Sequence, residues 1–385
     1  MKNCLESSLK LSLCMIVKNE RGNLPRCLAS VKPYVNEMII VDTGSQDGTS
    51  EIALNYKAKV RYFEWCDDFS AARNYAISQA SGDWILMLDA DETLEADSEE
   101  FVDIIRNHPE IKAYYLSYIE VNDQHDITPS YRLSLFRNNA GFKYLGRFHE
   151  ELHYEHSDPQ RSQIGYINSA RILHYGFSKE QIRQKNLSRN IPMLERIRQE
   201  EGLNLRLLYC LAQSYADTQQ REKAQECYAE AYERLLPHLV NGNQPEPFIF
   251  VPALLYVLGV ESLSQKDYET VILICQRGLE WCPNFPPLNY LAGATIRTLG
   301  FPLGAAAYFE NCIRLGRENS YYKGEPVELT YMTTYPAYDL GCVYIALERW
   351  SEALAAFEMV LSFDANFVQA QQQIDKIREL LADPL

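Results

Sequence analysis

Two carboxylates one residue apart close an apolar run in this sequence: Trp84-Ile85-Leu86-Met87-Leu88 leads into Asp89-Ala90-Asp91-Glu92. Side chains alternate across a strand, so Asp at i and i+2 face nearly the same side. Hard oxygen ligands placed that way suit Mg²⁺ or Mn²⁺ bridging a diphosphate. A second apolar run at 38–41 ends in Asp42 and passes into the turn-rich TGSQDGT. An Asp at a strand end also serves as a plain turn or helix cap, and for Asp42 the two readings stand side by side.

Such carboxylates need a scaffold that gathers strand ends, and the first 120 residues read as one. Short apolar runs at 11–17, 38–41, 60–63 and 84–88 alternate with helical stretches at 23–34, 50–56 and 70–80. Asp68 and Ser70 stand where the third helix needs an N-cap. Strands alternating with helices predict a largely parallel, doubly wound sheet. Ligands of such sheets bind outside the carboxyl ends of the strands, where Asp42 and Asp89 fall. AYYLSYIEV (113–121) and YRLSLFR (131–137) alternate more tightly and predict antiparallel strands after it.

From about residue 179 the strand signal stops and an internal repeat begins. A small residue recurs at Ala212, Gly259, Gly293 and Gly341, with an aromatic or Ile three positions on at Tyr215, Ile296 and Tyr344. Gly259 and Gly293 are 34 apart, the tetratricopeptide period, and the flanking gaps of 47 and 48 are one period plus a polar, Pro-rich insert. Twelve residues past each anchor stand Ala224, Val271, Ala305 and Ala353; sixteen past stand Tyr228, Cys275, Phe309 and Phe357. Over roughly 205–370 the chain resembles tetratricopeptide repeats, a solenoid of paired helices whose concave face suits extended peptides or protein partners. The predicted division is 1–178 for the α/β domain, 179–204 for a helical linker and 205–385 for the repeats.

Composition narrows the function. The 385 residues carry 37 Lys and Arg against 52 Asp and Glu, a net charge of −15, which disfavours a nucleic-acid partner. No apolar stretch reaches the roughly 18 residues of a membrane span. The first residues lack the basic start and long apolar stretch of a secretory signal. The ten cysteines form no CxxC pair and several lie in apolar runs. A reduced, cytoplasmic protein is expected.

Neither GxGxxG nor GxxxxGK[ST] occurs, so the glycine-loop nucleotide folds are excluded. LDADET matches the strand-DxDxT signature of haloacid-dehalogenase phosphatases, with DxDxT at 89–93 and Asp89 as nucleophile. That signature normally follows the first strand of its domain, and here it follows the fourth. MIVKNE (15–20), VDTGSQDGT (41–49), DDFSAARNYAI (67–77) and GDWILMLDADE (82–92) are all carried in order. With these four motifs, residues 10–180 strongly resemble a family 2 glycosyltransferase of the GT-A fold, a Rossmann-like mixed sheet. The resemblance looks closest to a bacterial branch with C-terminal tetratricopeptide repeats that includes peptide S-glycosyltransferases.

The resemblance implies roles. Asp42 would accept the N3–H of uracil in a UDP-sugar donor, and Arg73 would lie on the nucleotide. Asp89 would face the ribose and metal, with Asp91 directly on the Mn²⁺ or Mg²⁺. Lys18 and Asn19 would be lesser nucleotide contacts, and Asp47 and Gly48 would serve the turn. Glu150, in GRFHEELHY (146–154), would be the acceptor-facing base, with Asp123 or Asp126 as substitutes; His174 would be a C-terminal metal ligand. His149 and His153 are four apart but read as strand or loop, not as a zinc pair. The expected reaction is a single inverting displacement, of hexosyltransferase type. The acceptor would be a peptide, protein or glycan; the repeats serve either to hold it or to self-associate. A phosphatase and a non-catalytic repeat scaffold are the other two readings.

Overall fold

A computed structural model of the chain describes residues 9–121, 127–155, 163–176 and 178–382. By their contacts these fall into two compact units, one of residues 1–123 and 129–203, the other of 124–128 and 204–385. Residues 179–203 thus count with the first unit. No helix among the described residues is long and apolar enough to cross a membrane.

The first unit opens with β1 (Leu11–Val17), α1 (Leu24–Val31), β2 (Glu37–Asp42), α2 (Thr49–Asn55), β3 (Lys59–Tyr62), α3 (Phe69–Ser78) and β4 (Trp84–Met87). β1 pairs in parallel with β2 on one side and β4 on the other, and β2 with β3. β1 and β4 are buried on both faces, as continuous apolar runs in a covered parallel sheet must be. The polar exception is Ser12, fully buried, which donates to Glu37 at 2.6 Å and accepts from the Gly82 N–H at 2.9 Å. A Cβ at position 82 would lie 2.5 Å from that hydroxyl, so only glycine fits there. Asp68 caps α3 by accepting from the Ala71 N–H at 2.9 Å.

The unit continues with β5 (Glu92–Ala96), α4 (Ser98–Asn107), β6 (Ala113–Glu120), β7 (Ser130–Arg137), β8 (Phe142–Leu145), β9 (Glu151–Tyr154), β10 (Ile164–His174), α5 (Lys179–Lys185) and α6 (Ile191–Glu200). The eight-stranded sheet runs β3-β2-β1-β4-β7-β6-β10-β5, and β8 and β9 form a separate hairpin. It is mixed: β7 joins β4 and β6 antiparallel, β10 lies parallel to β6, and β5 antiparallel to β10. Along β6, β10 changes register between Ile167 and Arg171, so that His174 comes opposite Glu120.

A π-helical turn, Asn186–Asn190, separates α5 from α6. Its cause is Pro192, which has no N–H to give the preceding turn and whose ring crowds the carbonyl four residues back. Widening the turn relieves that clash, and the Ile191 N–H reaches the Asn186 carbonyl instead.

The second unit is helical: α7 (Leu205–Asp217), α8 (Arg221–Asn241), α9 (Val251–Ser264), α10 (Tyr268–Trp281), α11 (Pro286–Thr298), α12 (Pro302–Arg317), α13 (Thr334–Ala346), α14 (Trp350–Phe363) and α15 (Val368–Ala382). Each of the four repeat anchors lies in the first helix of a pair. A Cβ on Gly293 would come 2.7 Å from the Phe309 ring, and one on Gly341 2.7 Å from Phe357. The small residue and the aromatic sixteen on therefore interlock across these two pairs.

Candidate active site

β2 and β3 lie on one side of β1 and β4 on the other, so a crevice opens where the carboxyl ends of β1 and β4 diverge. The first residue after β1 is Lys18, and two residues beyond β4 stands Asp89. Both line a cavity of about 330 Å³. Thr43 reaches it from the end of β2, Arg73 from α3, Glu150 from the approach to β9, and Tyr118 and His174 from β6 and β10. Trp65, Phe69 and Phe148 form an aromatic wall; the rings of Trp65 and Phe69 lie 4.8 Å apart, and those of Phe69 and Phe148 6.1 Å.

Arg73 links two of the predicted acids. Its Nε donates to Glu150 Oε1 at 2.5 Å and its Nη2 to Asp89 Oδ2 at 3.2 Å, with Asp89 Oδ1 2.9 Å away in the same ion pair. Burial opposes a charge on Arg73, but Asp89 and Glu150 more than offset it and hold the guanidinium above its ordinary value. Burial likewise works against the Asp89 carboxylate, and Arg73 and Arg132 hold it below the usual range. The turn carrying these acids is closed by its own backbone: the Asp89 N–H donates to Glu92 Oε2 at 2.9 Å and the Glu92 N–H to the Asp89 carbonyl at 3.1 Å. Glu92, 1% exposed, receives both ends of the Arg132 fork at 2.5 and 2.6 Å. Burial disfavours charge on Arg132 too, yet Glu92 and Asp89 keep it charged.

Asp91 and His174 meet on the other side. The Asp91 carboxylate lies 3.4 Å from His174 Nε2, and the imidazole stacks on Tyr118 with centroids 5.7 Å apart. Burial lowers the tendency of His174 to take a proton, but the hydrogen bond and charge of Asp91 outweigh it and raise the imidazole above its ordinary value. His174 Nδ1 is buried and has no hydrogen-bond partner among the described residues. No three carboxylate, histidine or cysteine groups among the described residues form a ready metal cluster. Two such groups plus substrate oxygens and water are nonetheless what Mg²⁺-type sites use, and Asp91 with the His174 Nε2 that faces it offers such a pair.

The remaining expected residues divide. Lys18 lines the cavity and is exposed. Asn19 instead holds the 42–49 turn: its φ is 58°, its N–H donates to Ser45 and its side-chain oxygen accepts from the Gln46 N–H at 2.8 Å. Asp42 is 3% exposed and accepts from the N–H groups of Gly44 and Ser45 and from the Ser50 hydroxyl. Burial opposes its charge, and these donors keep its carboxyl below the usual range. Three bonds leave one of the roughly four lone-pair positions of a carboxylate. Asp47 holds the turn too, accepting from the Arg21 N–H at 3.0 Å and from Thr49. His149 lines the cavity, and His153 on β9 does not. Asp123 and Asp126 lie outside the described residues.

Sequence reasoning missed Lys185, Arg189, Glu20, the Glu92–Arg132 pair and the aromatic wall, all in or against this cavity. Glu92 sat inside a quoted motif, but its partner lies 40 residues away and no local pattern marks it.

Comparison with known proteins agrees with the fold. Residues 12–158 match the Glycosyl transferase family 2 description. A TPR repeat-containing protein of Synechococcus elongatus is 35% identical over 282 residues, covering 70% of this chain and 66% of the relative. The SPbeta prophage-derived glycosyltransferase SunS of Bacillus subtilis is 32% identical over 203 residues, 51% of this chain and 46% of SunS. Among solved structures, S. aureus TarS 1-349 in complex with UDP covers 71% of this chain and 91% of its own at 14% identity, with a TM-score of 0.37. The chain spans between about half and two thirds of the two curated relatives. It carries a family 2 glycosyltransferase domain with tetratricopeptide repeats C-terminal to it.

Proposed function

We propose that this protein transfers a sugar, of hexose type, from a UDP-sugar to a peptide or protein acceptor with inversion at the anomeric carbon. The observation that carries the reading is convergence: Arg73, Asp89, Asp91, Glu150 and His174, drawn from four separate segments, face one cavity at the carboxyl ends of β1 and β4. Mn²⁺ or Mg²⁺, held by Asp91 and His174 with Asp89 beside them, would offset charge on the departing nucleoside diphosphate. Asp42 offers its remaining lone pair to the base, and Lys18 and Asn19 border the nucleotide. Glu150 takes the proton of the acceptor nucleophile, its Oε1 fixed by Arg73. A phosphatase reading asks Asp89 to be a free nucleophile, and Arg73 engages that carboxylate instead. The repeats supply the surface for an extended acceptor, or for a second copy of the chain.

Calorimetric titration of UDP with and without Mn²⁺, on wild type and Asp91→Ala, tests the donor site. Metal-dependent binding that weakens at least roughly tenfold in the variant is the expected result. A folded wild type that binds none of UDP, GDP or dTDP would overturn it.

A further inference from the structure

The cavity contains two cations that no motif marked. Lys185 ends α5, and Arg189 lies four residues on, inside the π-helical turn set by Pro192. Residues four apart on a helix share a face, and both line the cavity beside Asp89 and Asp91. The other two arginines of the site already have carboxylate partners: Arg73 holds Asp89 and Glu150, and Arg132 holds Glu92. Arg189 differs. Its guanidinium lies over the Phe69 ring at 5.1 Å, and its Nε donates to Asn190 at 2.9 Å. That uses one of the five guanidinium donors, and among the described residues no carboxylate takes the fork. Burial, and then the like charge of Arg189, hold Lys185 below its ordinary value against the pull of Asp91, Asp89 and Glu20. Lys185 and Arg189 thus set two positive charges one turn apart at the rim of the cavity.

We propose that Lys185 and Arg189 clamp the diphosphate of the bound donor, resting on the reading of this cavity as a nucleotide-sugar site. The Arg189 fork matches two phosphate oxygens, and Lys185 supplies a point charge on the same group. A second phosphate is what the pair recognises, so it sets the preference for nucleoside diphosphate over monophosphate. The pair also offsets charge on the leaving group independently of Asp91 and His174, so part of UDP affinity survives chelation of divalent ions.

Titration of UDP and of UMP, each with Mn²⁺ and with EDTA, separates the possibilities on wild type, Lys185→Gln/Arg189→Gln and Arg189→Lys. In the double variant UDP should bind about 10- to 100-fold more weakly, with UMP changed by less than about threefold. Arg189→Lys should recover part of the loss, because it keeps the charge without the fork. Circular dichroism and thermal melting check that the variants fold, and the UDP-to-UMP ratio is a quantity that a merely structural role leaves unmoved. A ratio in the folded double variant equal to that of wild type overturns the clamp while the donor site stands. A wild type that binds no nucleoside diphosphate overturns both.

Discussion

The two halves of the sheet hold their carboxylates by different means. In the parallel half, Glu37 and Asp42 rest mainly on neutral donors: Glu37 takes the hydroxyls of Ser12 and Ser81 and two backbone N–H groups, with Lys59 as its one charged partner, and Asp42 takes two N–H groups and Ser50. In the other half, Glu92 and Glu150 are held by arginines from 40 and 77 residues away. Neutral donors from the same turn fix a carboxylate without adding charge, which suits a rigid loop under a base. Arginine pairs fix it while leaving a network that an anionic ligand can re-partition.

The sharpest way to break the contrast is Arg132→Met. It leaves Glu92, at 1% exposure, without its counter-ion and beside the like charge of Asp89, and an uncompensated buried charge costs about 3–5 kcal/mol. Glu92 then binds a proton more tightly in the folded chain than in the unfolded one, so the deficit measured by urea unfolding should shrink as pH falls, beginning above the ordinary carboxylate value. Arg132→Lys should recover less than half, since it cannot form the double contact.

Glu37→Gln tests the other half. Burial alone would raise this carboxyl, but Lys59, Ser12 and Ser81 bring it down to about 2 from 4.5. A lowered folded value contributes stability that is present above the unfolded value and lost as pH falls through the folded one. The substitution should therefore destabilise by roughly 2 kcal/mol at pH 7, with the gap to wild type closing between 4.5 and about 2. If both variants lost their deficit over one pH range, the contrast between the halves would fail. Ser50→Ala is the mildest: loss of one of three donors to Asp42 should cost about 1 kcal/mol and lower UDP affinity by no more than about tenfold. Equal affinity in the variant would separate Asp42 from the nucleotide.

The same contrast explains what could be read from the sequence. VDTGSQDGT announces its own hydrogen bonds, because Asp42, Gly44, Ser45 and Ser50 lie within nine positions. The helix-capping Asp68, the strand before Asp89 and the small-to-aromatic spacing of the repeats are equally local. The mixed second half resisted reading. β5 is five residues straight after the acidic turn, and β10 finds its partners at distances no pattern encodes. Lys185 and Arg189 fell in a stretch read as a connector, and only the placing of α5 reveals that they face the acids. Asn19 stands inside a quoted motif, and its left-handed backbone and bond to Gln46 give it a task in the turn that the motif does not show.

The change of register in β10 has a further consequence. Counted on from Ile167 at the spacing of its first half, the position opposite Glu120 belongs to Arg171; the three intervening residues hand it to His174. The bulge works as a phase corrector, deciding whether that place receives a permanent cation or a titratable, metal-capable ring. A lineage of such enzymes could exchange one chemistry for the other by sliding a strand, with every amino acid of the site unchanged.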